Sequence, residues 1–325
     1  MTIKIGIPRG LWFYDYYPLW QSFYEELGAE VILSGVTNKE ILDSGVKNTV
    51  DEACLPVKIF QGHVLDLKAK VDYIFLPKIM SVYRNEYTCP KFCGLPEMVG
   101  HSVKGMPPFI DNKINFNNSR KSLDKTIYDF ATYITKNPFK IRRAYYKALE
   151  NYYDYKSKMK EGLLPINGKL SNYKNAGSIT IAVLGHSYNI YDNYISMGLI
   201  DKLHKQGIRV LTAEMLGYKN INKYAHTLEK QMFWSSGRKI LGAAIYLAQS
   251  KNIDGVIYLS SFGCGIDSIV QELAQRRIRK DGGIPFLLIT IDEHTGEAGV
   301  NTRLEAFIDM IEWGRKNENN ISTYG

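Results

Sequence analysis

Apolar residues recur along this chain with two spacings. Residues 2–7, Ala29 to Leu33 and Val71 to Leu76 are short, nearly continuous apolar runs that read as buried strands. Between them the spacing widens to three and four. Trp12 to Leu27 predicts a helix stopped at Gly28, residues 38–45 a short helix, and Pro56 to Lys70 a longer one with Val57, Phe60, Val64 and Leu67 on one face. Strand, helix and strand in close succession mark a parallel sheet. From Lys78 to Asn118 the periodicity fades, and long irregular stretches in compact proteins tend to be functional. Residues 122–160 predict helices interrupted at Asn137-Pro138, and residues 167–177 a linker. The alternation then resumes, with strands predicted at 179–184, 208–211, 256–259 and 285–291 and helices at 191–205, 237–250, 266–279 and 301–314. This predicts an α/β fold of two Rossmann-like parallel-sheet domains, residues 1–117 and 178–325, joined by a helical segment and linker at 118–177. Each half opens with an apolar strand and a polar loop, a hint of a duplicated plan.

Composition narrows the class without changing this picture. The 325 residues suffice for two domains, each with its own core. A hydrophobic fraction of 45% and a charged fraction of 23% suit a globular chain. No apolar stretch is long enough to span a bilayer, and the N-terminus reads as a strand rather than a signal peptide, so a cytoplasmic setting is expected. The formal charge of +8 invites a nucleic-acid reading. Much of the excess lies at Lys140, Arg142, Arg143, Lys147, Lys156, Lys158 and Lys160, in a helical segment without a recognition motif. A solvated helix face explains it more simply, with an acidic partner or a phosphate-bearing ligand such as coenzyme A next.

Candidate chemistry centres on four cysteines, Cys54, Cys89, Cys93 and Cys264. Cys264 follows the strand 256–259 between Gly263 and Gly265 and precedes a helix, where amide donors favour an anionic sulfur. Cys54 precedes Leu55-Pro56 and should also stand at a helix start, while Cys89 and Cys93 flank Pro90-Lys91-Phe92 in the irregular stretch. Singly, each thiol reads as a small buried hydrophobe. Together, all four in glycine- or proline-marked loops point to shared metal or cluster ligation. Zinc remains an alternative, although no paired Cys-x-x-Cys knuckle exists. The spacing of Cys89 and Cys93 resembles the start of a radical-SAM motif, but residue 96 is Pro. All-sulfur ligation from distant loops suits an iron–sulfur cluster.

Other signals are weaker. Glu293, His294 and Glu297 are candidate acid–base groups in what reads equally as a helix-entry loop. Ser187 lacks a Gly-x-Ser-x-Gly context, and no Gly-x-Gly-x-x-Gly or P-loop is present. His63, His101, His204 and His226 read as surface or core residues.

Several strings resemble a known family. They are Ile7-Pro8-Arg9-Gly10-Leu11, Asp51-Glu52-Ala53-Cys54-Leu55-Pro56-Val57-Lys58, Cys89-Pro90-Lys91-Phe92, Gly94-Leu95-Pro96, Ser261-Phe262-Gly263-Cys264-Gly265 and Asp292-Glu293-His294-Thr295-Gly296-Glu297-Ala298-Gly299. They are similar to activase-associated proteins related to the 2-hydroxyacyl-CoA dehydratase components, over nearly the whole chain. The resemblance implies a pair of α/β domains with an oxygen-sensitive [4Fe–4S] cluster in the cleft between them. Cys54, Cys89 and Cys264 map onto the family's ligand positions. Cys93 falls where many relatives carry an aliphatic residue; without it, one iron is open to a small substrate. Four cysteines are too few to enclose a double-cubane cluster. The resemblance further implies a separate ATP-hydrolysing activase that supplies low-potential electrons for a small-molecule or CoA-thioester substrate, and it accommodates a homodimer. The alternatives are a 2-hydroxyacyl-CoA dehydratase subunit or a cluster-binding protein without turnover, and a metal-free thiol nucleophile is the plainest enzymatic reading.

Overall fold

The computed structural model describes residues 2–117, 121–172 and 178–321. The first half runs β1 (Lys4–Ile7), α1 (Phe13–Glu26), β2 (Glu30–Leu33), α2 (Lys39–Lys47), α3 (Leu55–Leu67), β3 (Tyr73–Phe75), β4 (Lys78–Ser81), α4 (Pro90–Ser102), β5 (Phe109–Ile110) and β6 (Lys113–Asn115). Two helices, α5 (Lys121–Ala131) and α6 (Pro138–Lys160), and a hairpin of β7 (Leu163–Ile166) and β8 (Lys169–Asn172) lead on. The second half has β9 (Thr180–Gly185), α7 (Ser187–Ile190), α8 (Leu199–Lys205), β10 (Arg209–Thr212), α9 (Tyr218–Ala225), α10 (Ser235–Ser250), β11 (Gly255–Ser261), α11 (Gly265–Arg277), β12 (Phe286–Ile291) and α12 (Glu297–Ile321).

Each half is built on a four-stranded parallel sheet. The strand orders are β2-β1-β3-β5 and β10-β9-β11-β12, the same order counted within each half. In both, the order reverses between the first and third strands, and ligands gather beyond the carboxyl ends of strands at such a switch point. The fold is α/β with two Rossmann-like halves, as the alternating periodicity predicts. Among the described residues no helix is long and apolar enough to cross a membrane.

Where the breaker residues are many, the structure departs from the sequence reading. The stretch 78–118 is not irregular; it holds β4, α4, β5 and β6. Pro90 occupies the first turn of α4, where a missing N–H costs nothing. Phe92, Leu95, Pro96 and Val99 form its buried face, so tertiary burial outweighs Gly94 and Pro96. Cys93 therefore lies inside a helix, not in a loop. The expected linker begins with the β7–β8 hairpin, and residues 173–177 lie outside the described residues. The helix expected at 191–205 starts only at Leu199, because Gly198 is left-handed at φ 66°. The short helix α9 has no counterpart in the sequence reading.

One apolar core runs through both halves. Ile5 and Ile7 of β1 share a buried cluster with Ile181 and Val183 of β9 and Ile257 of β11. Polar ties cross the same boundary. Arg9 Nη1 donates to the Asn167 carbonyl at 2.6 Å, and Arg238 meets Glu86 at 3.0 Å. Tyr87 and Trp234 form a β-bridge, with Tyr87 N donating to Phe233 O at 2.9 Å. His63 of α3 is fully buried, its Nδ1 3.0 Å from Ser34 Oγ and its Nε2 3.0 Å from Thr37 Oγ1. Thr37 in turn donates to Asp192 of the second half.

Burial, then the Arg9 guanidinium, holds the His63 imidazole down at about 3 against an ordinary 6.5. The unfolded chain takes up a proton as pH falls below 6.5, and the folded chain does not until about 3. The stability contributed by the neutral ring is thus full above 6.5 and declines between 6.5 and 3. The slope is about 1.4 kcal/mol per pH unit. Urea unfolding across this range should show that slope, and His63→Gln should flatten it.

Candidate functional site

Three helices of the fold begin with a cysteine. Cys54 is the N-cap of α3, Cys89 of α4 and Cys264 of α11. Sequence sets up each cap: Leu55-Pro56 and Pro90 start their helices with residues that suit the first turn, and the turn before Cys264 is closed by Gly263 at φ 72°. A Cβ on Gly263 would meet Cys54 Cα at 3.8 Å, which puts the turn after β11 against the start of α3. Cys89, Cys264 and Tyr188 all pack against the buried cluster that contains Cys54. Burial first, then Cys264, Asp267, Cys54 and Cys89, holds the Tyr188 hydroxyl well above the ordinary tyrosine range.

Two electrostatic effects oppose each other at these sulfurs. Each helix N-terminus brings about half a positive charge and free amide donors toward the thiol it carries. Burial acts the other way. It raises all three thiols, and Cys264, with Asp267 beside it, is pushed up to about 12. Lys91 moderates this at Cys54 by hydrogen-bonding the sulfur. Three thiolates gathered in an apolar setting need a cationic centre between them. The donor set fits an iron–sulfur cluster: three convergent thiols, open space beside Gly265, and amide donors at three helix ends.

His186 and Asp267 complete this wall. His186 caps α7 directly after β9, and its ring stacks on Tyr188 with centroids 4.8 Å apart. Its Nε2 lies 3.3 Å from Asp267 Oδ1 without hydrogen-bond alignment, while Oδ1 accepts from Tyr258 Oη at 2.8 Å. Among the described residues Asp267 Oδ2 has no hydrogen-bond partner. Ligand atoms of His186, Cys264 and Asp267 all lie within 4.8 Å of one another. These residues came out of no motif; the one available signal was position, in loops after neighbouring strands and in the first turn of α11. Gly185 lets β9 end there, since at φ 139° a Cβ would sit 2.4 Å from Leu259 O. A cavity of about 140 Å³ opens alongside, its wall mostly apolar but holding several charged groups, with Trp12, Asp15, His186, Ser187, Tyr188 and Lys239 among its residues.

Of the remaining sequence candidates, Cys93 is half-buried in the first turn of α4, four residues after Cys89. Glu293 forms an ion pair with Lys58 of α3, and Glu297 pairs with Lys202 at 2.6 Å. His294 is exposed, and its N–H donates to Asp292 Oδ1 at 3.0 Å. The Asp292–Glu297 string thus forms a tight helix-entry turn that reaches back to the first half through Glu293.

Comparison with known families places two matches along the chain. The sequence model described as CoA enzyme activase uncharacterised domain matches residues 4–216, more than half of the chain. The one described as 2-hydroxyglutaryl-CoA dehydratase, D-component, matches residues 192–311. The first match contains Cys54, Cys89 and Cys93, the second Cys264. No curated protein matches the chain.

The Lys58–Glu293 pair is asymmetric, with Lys58 at 3% and Glu293 at 20% side-chain exposure. Glu293→Ala strands a buried ammonium and should cost about 3 kcal/mol or more. Lys58→Met leaves a carboxylate that can turn to water and should cost closer to about 1 kcal/mol. Urea unfolding of the two variants side by side checks the order.

Proposed function

We propose, from the premise that the chain belongs to the CoA enzyme activase uncharacterised domain family, that it is an iron–sulfur redox protein. Cys54, Cys89 and Cys264 would hold a [4Fe–4S] cluster between the halves. The packing of three N-cap thiols from both halves into one cluster with Tyr188 carries this reading. A bound cluster would supply one-electron chemistry at low potential. The chain would accept one electron from an ATP-hydrolysing activase, itself an iron–sulfur protein, and hand it to a small or CoA-thioester substrate.

The chain's own residues supply the surroundings. Amide donors at the starts of α3, α4 and α11 would hydrogen-bond the sulfurs, and Lys91 adds a full positive charge at the Cys54 side. Trp12 packs on Phe92 with centroids 5.3 Å apart, and both line the cavity beside His186, shielding that flank from water. If Cys93 does not ligate, the three other thiols would leave one iron for a substrate or exogenous ligand. The four free cysteines fit a reducing, cytoplasmic setting. A second reading, a 2-hydroxyacyl-CoA dehydratase subunit, is favoured by the dehydratase D-component match over residues 192–311. It requires a partner subunit, so co-purification separates the two.

Anaerobic purification, iron and sulfide counts and an EPR spectrum of the dithionite-reduced protein test the proposal. About four irons per chain are expected for a [4Fe–4S] centre. Cys264→Ala should lose them and Cys93→Ala should keep them. Wild-type protein without iron after anaerobic reconstitution would sink the reading.

A further inference from the structure

A second cavity of about 690 Å³ adjoins the first. Its wall is largely apolar, with Trp20, Phe23, Phe75, Ile127 and Leu149 among its residues. That volume is in the range of sites for drug-sized ligands. From α6, Tyr145, Leu149, Tyr152, Tyr153 and Lys156 line it at helical spacing, so one face of the tyrosine-rich helix is turned into the chamber. The two cavities share Tyr16, Val82, Tyr83, Tyr152, Lys156 and Tyr218. They adjoin along this wall, the first also holding the charged Asp15, Glu214 and Lys239 and the second almost wholly apolar.

Lys156 stands at the joint. Arg142, Arg143, Lys147, Lys158 and Lys160 of the same helix are exposed, whereas Lys156 is drawn inward. Its ammonium lies 5.9 Å from the Tyr152 ring centre. Among the described residues it has no hydrogen bond or ion pair, because Lys239 takes both nearby carboxylates, Asp15 at 3.4 Å and Glu214. Burial and repulsion from Lys239 hold the Lys156 pKa below the ordinary lysine value. An oxygen acceptor placed beside this cation would recover part of that cost. One inward cation at the mouth of an apolar chamber suits a ligand with a single acceptor head and a hydrocarbon body. A polyhydroxylated or multiply charged ligand would leave its groups unpaired against the apolar wall.

We propose that the larger cavity binds an acyl chain, its hydrocarbon in the apolar chamber and its carboxylate or thioester carbonyl oxygen on Lys156. The site is distinct from the thiol trio and does not require iron. The shared chemistry is the acyl group, which a free fatty acid or a CoA thioester could bring.

Titration calorimetry of the full chain with dodecanoate below its micelle concentration, and with dodecanoyl-CoA against coenzyme A alone, tests this. Saturable one-to-one binding of dodecanoate is expected with a free acid as the source. Tighter binding of dodecanoyl-CoA than of coenzyme A, with dodecanoate weak, identifies a thioester. Lys156→Met should weaken the acyl ligand about tenfold or more and change dodecanol binding by less than about threefold. Leu149→Trp and, separately, Ile127→Trp fill the chamber and should weaken acyl ligand and dodecanol alike; thermal melting checks that each is folded, and either suffices. Absence of saturable binding of both acyl probes to the wild type overturns the proposal. So does a Lys156→Met protein that binds the acyl ligand as tightly as the wild type. Iron-free and iron-loaded protein should behave alike, so the outcome stands apart from the iron assay.

Discussion

Three thiols from separate loops can share one cluster only if the carboxyl edges of two sheets are held in a single relative position. The shared core, in which Ile5 and Ile7 pack with Ile181 and Val183, brings the halves together without fixing their register. The buried charges fix it. Among the described residues Lys58 finds its counter-ion in Glu293 and Arg238 finds Glu86, each partner supplied by the other half. Burying such pairs stabilises little compared with apolar packing, but any other arrangement strands a charge in the interior. The ties therefore select one placement, and that placement sets Gly263 against Cys54.

Sequence alone carried most of the architecture, since consecutive Val, Ile and Leu residues have few alternatives to a buried parallel strand. It also carried Cys264, whose loop follows such a strand, and Cys54, whose helix start is marked by Pro56. It missed α4. Pro90, Gly94 and Pro96 look like breakers in isolation, yet Pro90 sits where a proline is harmless and Phe92, Leu95 and Val99 are buried by the rest of the fold. Placing Cys93 in a loop followed from that omission.

Position alone brings the loop of His186 and Tyr188 to the sheet edge that carries Cys264, but Asp267 and Lys156 were illegible for a different reason. Each is an ordinary residue in an ordinary segment, and its meaning comes from neighbours distant in sequence. Lys156 belongs to a charge run that is otherwise solvated, and only the packing of α6 against α1 turns it inward. Periodicity places Lys156 on the same face as Leu149 and Tyr152, but it cannot say that this face lines a chamber rather than a packed core.

The charge around the thiol trio is unevenly spread. Helix starts point at all three sulfurs, but Lys91 bonds Cys54, whereas the fully buried Asp267 lies beside Cys264 and opposes negative charge there. Negative charge reaching this site is therefore met more favourably toward α3 and α4 than toward α11. Among the described residues Asp267 keeps a donor from Tyr258 on one oxygen and none on the other, and His186 faces it without a bond. The second half thus supplies polar groups with unused hydrogen-bonding capacity, and the first half supplies positive potential. A reducible centre held between them would have its electron stabilised from one side and its proton donors and acceptors grouped on the other, beside the cavity that Lys156 also lines.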